Sequence, residues 1–156
     1  MSERWTWIVR YLVVIVLAVI LAATLGEMAL FKMTKFGKTG LNAGRLVQFL
    51  GFGGALLVFW LLAQKTAALL DEKDPRWTLV KNIVLPLATL IVVASTHAVL
   101  LLLLEPLMNK AWHEAYNWIF IVGIILSAAW LLGALLTGSA SLAPLFSTSG
   151  RALRRQ

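Results

Sequence analysis

NIVLPLATLIVVASTHAVLLLLL, residues Asn82 to Leu104, is 23 residues without a charge, bounded by Lys81 on one side and by Glu105 and Pro106 on the other. A helix rises 1.5 Å per residue, so about 20 such residues cross the hydrocarbon core of a bilayer. A strand reading fails, because the run shows no period-two alternation and an open sheet in lipid would leave backbone groups unpaired.

On either side, three further runs repeat the pattern. Sixteen uncharged residues lie between Arg10 and Glu27, 19 between Arg45 and Lys65, and 19 from Trp118 to Leu136. The first run is short, but apolar character extends from Trp5 to Leu30 and Arg10 can snorkel to the headgroups. It also has the shape of a signal peptide, with Arg4 and Arg10 ahead of an apolar stretch that ends in Ala22, Ala23 and Gly26. The continuation Glu27-Met28-Ala29-Leu30 reads as a helix end, so the segment stays in the count. The expectation is an all-α integral membrane protein: one membrane domain over residues 1–156, a four-transmembrane-helix bundle with short loops. The spans fall near 7–30, 46–64, 82–104 and 117–136, followed by a short cytoplasmic tail over 137–156.

Composition agrees. The 156 residues are 60% hydrophobic and 13% charged, against about 25% charged in soluble domains. Mean hydropathy is +0.86. Of seven tryptophans, Trp5, Trp7, Trp77, Trp112 and Trp118 flank the runs, where headgroup boundaries collect aromatic rings, while Trp60 and Trp130 lie inside them. The net charge of +7 would point to nucleic acid in a soluble domain; here it reports topology, and no nucleic-acid partner is expected. The absence of cysteine removes disulfide, thiol and iron–sulfur chemistry.

Lysine and arginine near the helix ends set orientation. An N-terminus inside puts nine on the cytoplasmic side: Arg4, Arg10, Lys65, Lys73, Arg76, Lys81, Arg151, Arg154 and Arg155. It leaves five outside: Lys32, Lys35, Lys38, Arg45 and Lys110. Both termini are therefore expected in the cytoplasm of a cell (inner) membrane protein. Asp74 and Pro75 read as an N-cap and first helical residue. The loop from Phe31 to Gly44, with Gly37 and Gly40, reads as irregular.

Small residues recur at helical spacing: Ala18, Ala22 and Gly26; Gly51 and Ala55; Ala129, Gly133 and Thr137. Such ladders let helix backbones approach closely in lipid. They serve packing within one bundle or between chains, and their number favours a homo-oligomer or a complex with other membrane subunits.

His97 is the one histidine inside a run, and ionisable residues there are functional candidates. Asn82, Pro86, Thr89, Thr96 and His97 share one broad face of their helix, which Pro86 is expected to kink. Glu27, Gln48, His97 and Glu105 all fall toward the outer end of their spans, which suggests an outward polar vestibule; the plainer alternative leaves the two glutamates in the headgroups, paired with Lys32, Lys35 or Lys110. A neutral His97 bonded to a backbone carbonyl or to Gln48 is the plainer reading of that residue.

Sharper chemistries do not fit. His113-Glu114 has no second histidine four residues on, and Gly37-Lys38-Thr39 has Lys32 where a phosphate loop needs glycine. No serine sits in a nucleophile elbow. No catalytic residue, metal ligand set or cofactor is therefore expected. Three functions remain, in descending order: an oligomerising or anchoring subunit of a membrane assembly; a small homo-oligomeric channel or carrier with a protonatable His97; and a membrane enzyme or quinone-contacting subunit.

Overall fold

The computed structural model describes residues 3–37, 40–69 and 78–140. Helices α1 (Glu3–Glu27), α2 (Ala29–Met33), α3 (Ala43–Leu69), α4 (Thr78–Leu104) and α5 (Lys110–Ala140) follow in order, with a 3-10 turn at Glu105–Leu107 between the last two. Four of them are long and apolar enough to cross a membrane, over Thr6–Glu27, Ala43–Leu69, Asn82–Leu107 and Lys110–Thr137. The chain is an all-α four-helix membrane bundle. The Asp74-Pro75 start and residues 141–156 of the expected tail lie outside the described residues.

The ends differ from expectation for local reasons. The first span was expected to reach residue 30, but Met28 adopts an extended conformation (φ −62°, ψ 137°), ending α1 at Glu27 and turning the chain into the short α2. That turn brings the Lys32 ammonium back to the Glu27 carboxylate. Helices α3 and α5 begin earlier than the uncharged runs because asparagines cap them. The Asn42 side chain accepts from Arg45 N–H at 2.8 Å and the Asn109 side chain from Trp112 N–H at 3.0 Å, satisfying amides a helix start leaves free. Between α2 and α3, Lys35 and Asn42 form an isolated antiparallel bridge, and Gly37 (φ +60°) and Gly40 (φ +73°) take left-handed conformations that other residues rarely adopt.

Each spanning helix packs on its neighbour in sequence: α1 on α3, α3 on α4, α4 on α5. The outer members α1 and α5 make no extensive contact with each other, so the bundle is an open row rather than a closed square. A row has little interior. Its buried residues are mostly small, led by Ala22 (2% exposed), Ala88, Ala55 and Ala63, and among the described residues no large side chain is fully enclosed. Long apolar side chains such as Leu17, Leu57, Ile119 and Leu126 point outward, which lipid accepts and water would not.

The α1/α3 seam rests on close backbone approach. A Cβ on Gly51 would collide with the Ala22 Cβ and lie 3.2 Å from the Ala18 carbonyl oxygen; one on Gly44 would lie 2.6 Å from the Gly26 carbonyl. Gly44, read from sequence as loop, is therefore a packing residue inside α3. At the far end of the seam the Lys65 ammonium sits 5.0 Å from the centroid of the Tyr11 ring, a cation–π contact. Several hydroxyls within the spans bond back to their own helices, as Thr66 does to the Leu62 carbonyl and Ser127 to the Gly123 carbonyl, both at 2.8 Å, so these need no partner from lipid.

Candidate functional site

Polar groups do gather toward the end of the row that carries α2, and they resolve into three separate arrangements. Glu27, the last residue of α1, receives the Lys32 ammonium and, at 3.4 Å, the Gln48 amide from α3. Gln48 reaches it by lying over Gly26, where any side chain would displace it. Glu105, just past α4, accepts from Arg45 Nη1 at 2.9 Å, joining the ends of α3 and α4. That pair is well exposed, with side-chain accessibilities of 36% for Arg45 and 58% for Glu105, so it contributes at most about 1 kcal/mol.

His97 belongs to the third arrangement, between α4 and α5. Its Nε2 lies 3.2 Å from Asn117 Oδ1; an amide oxygen only accepts, so Nε2 is the donor in this contact. The Tyr116 hydroxyl donates to the His97 backbone carbonyl at 2.7 Å. The imidazole stacks on the Tyr116 ring (centroids 5.2 Å, 28°) and meets the edge of Phe120 (5.1 Å, 70°). Below it, Gly123 lets Val93 come within 3.5 Å of where a Cβ would stand. The face of α5 that reads Tyr116, Phe120, Gly123 and Ser127 is thus the side applied to α4, at helical spacing.

Of the four residues expected to share a vestibule, the structure joins Glu27 with Gln48, gives Glu105 to Arg45, and gives His97 to Asn117. Among the described residues no hydrogen bond or ion pair links His97 to either carboxylate. The partner of His97 is neither Gln48 nor a backbone carbonyl but Asn117. The four-residue step from Tyr116 to Phe120, beside Asn117, was the sequence signal that could have found this cluster.

The stripe on α4 also divides. Thr89 and Thr96 line a groove of about 590 Å³ between α3 and α4, whereas His97 faces α5. Phe49, Gly53, Gly54 and Trp60 form the α3 side of that groove. Pro86 stands inside α4, where it removes the amide that would bond the Asn82 carbonyl. Of the small-residue ladders, Ala18, Ala22 and Gly26 meet the α3 face that carries Gly51, and Ala55 is buried. Ala129 and Gly133 are exposed on α5, and the space a Gly133 side chain would fill is empty. Among the described residues no group of three or more His, Asp or Glu side chains is brought together.

No protein-family model, curated protein or solved structure matches the chain.

Proposed function

We propose that this membrane protein is an anchoring or oligomerising subunit, which associates with further membrane helices through the two flanks of its row. The observation that carries the reading is the open arrangement: α1 packs on α3 and α5 on α4 without closing on each other. A span held on one side only leaves the rest of its surface to lipid or to another helix, and close helix contact in lipid depends on small residues of the kind exposed at Ala129 and Gly133. At the α2 end Glu27, Glu105 and His97 are each paired with a protein side chain, which suits a support role more than a solute path through one chain.

Native mass spectrometry of the protein extracted gently from its own membrane tests this. The expected result is a defined complex heavier than the 17.2 kDa chain, either with copies of itself or with a distinct partner. A lone chain accompanied only by lipid would overturn it. A homo-oligomer whose ion flux changes on His97→Gln would favour instead the small-channel reading.

A further inference from the structure

We propose that the α3/α4 groove is a lipid site, holding one acyl chain of an anionic phospholipid from the leaflet at the α2 end, with the phosphate on Arg45. The groove begins at Phe49 and ends at Trp60, 11 residues along α3 and about 16 Å at helical rise. Half of a hydrocarbon core is about 15 Å. The groove is therefore about as long as one leaflet is deep and starts one helical turn below Arg45; a transmembrane helix would need a groove of twice that length. Its walls are apolar but for two threonines, and the Thr89 hydroxyl is already bonded to the Leu85 carbonyl at 2.8 Å.

The mouth has the matching charge. Arg45 stands one helical turn above Phe49, on the same face of α3. Its Nη1 is committed to Glu105, which leaves the other guanidinium donors for phosphate oxygens, the geometry in which arginine binds that group best. Lys35 and Lys110 add positive charge at the same end, while Lys32 is offset by Glu27. Gly54 holds the space open: a Cβ there would meet nothing within 4 Å.

The test is titration of the delipidated protein in detergent with phosphatidylglycerol and phosphatidylcholine of equal chain length, read by native mass spectrometry. One phosphatidylglycerol per chain should bind at least fivefold tighter than phosphatidylcholine. Arg45→Gln should bring the two lipids within twofold of each other, and Gly54→Leu should weaken both at least tenfold; inorganic phosphate alone should not compete. A mid-chain-brominated phosphatidylglycerol supplies a second readout on the unaltered groove, quenching a part of the fluorescence that Trp60→Phe removes. Unchanged binding in a folded Gly54→Leu variant overturns the proposal. So does quenching that Trp60→Phe leaves intact, or a second protein chain cross-linking into the groove. Because the groove lies between α3 and α4, loss of lipid binding with the native complex intact separates this inference from the subunit reading.

Discussion

Alanine at Gly51 and alanine at Gly54 should change stability in opposite directions, although the two glycines are three residues apart in one helix. A methyl group on Gly51 lands against the Ala22 Cβ and 3.2 Å from the Ala18 carbonyl oxygen, so α1 must back away from α3. Overpacking of this kind costs about 1–3 kcal/mol. Replacing a helical glycine returns about 0.5–1 kcal/mol of backbone entropy, leaving a net loss of about 0–2.5 kcal/mol. At Gly54 the added methyl meets open space, and only the entropic gain of about 0.5–1 kcal/mol applies. Reversible unfolding in mixed detergent–SDS micelles, followed by circular dichroism, would measure both. The collision is also reciprocal: adding Ala22→Gly to the Gly51→Ala protein should recover part of the loss, with a coupling of about 1 kcal/mol or more in the double-mutant cycle. Equal stability of the two alanine variants, or zero coupling to Ala22, would refute the close-packed seam.

Asn117→Leu should loosen α5 from α4 by about 0.6 kcal/mol and by no more than about 1.7, the span measured for hydrogen bonds between membrane helices; a cost near zero in the same unfolding assay would mean that the His97 contact at 3.2 Å is not formed. Arg45→Ala and Glu105→Ala should couple by less than about 1 kcal/mol in a double-mutant cycle, as exposed ion pairs do, and a much larger coupling would show the pair to be shielded from solvent. Single cysteines report topology without background, since the chain has none of its own. Lys35→Cys and Leu107→Cys should react with an impermeant maleimide in intact cells, and Leu69→Cys only after permeabilisation; the reverse pattern would invert the orientation inferred from the lysine and arginine distribution.

Four spans were legible because lipid makes the demand severe: every backbone amide must be satisfied within its own segment, and uncharged runs of 16 to 23 residues meet that demand as helices alone. The helix ends were less legible. Asn42 and Asn109 carry the capping signal in plain view, but a cap lies outside the uncharged run, so α3 and α5 begin before their runs do. Glu27 with Lys32 was readable from a spacing of five residues; Arg45 with Glu105 spans 60 residues and was not.

Residue spacing along a helix is local information, whereas the side of the helix that meets a neighbour depends on the neighbour. Ala18-Ala22-Gly26 and Ala129-Gly133-Thr137 carry the same four-residue pattern, yet the first lies against the α3 backbone and the second faces outward. His97, Glu27 and Glu105 sit toward one end by sequence alone, but Asn117, Gln48 and Arg45 reach them because the row sets α4 beside α5, α1 beside α3, and α3 beside α4. In lipid, apolar burial does not discriminate among helix faces, since the tails are as apolar as leucine. Neighbour order therefore rests on shape, on where a backbone can approach within about a methyl group of another, and that is a property of pairs of helices which no single span contains.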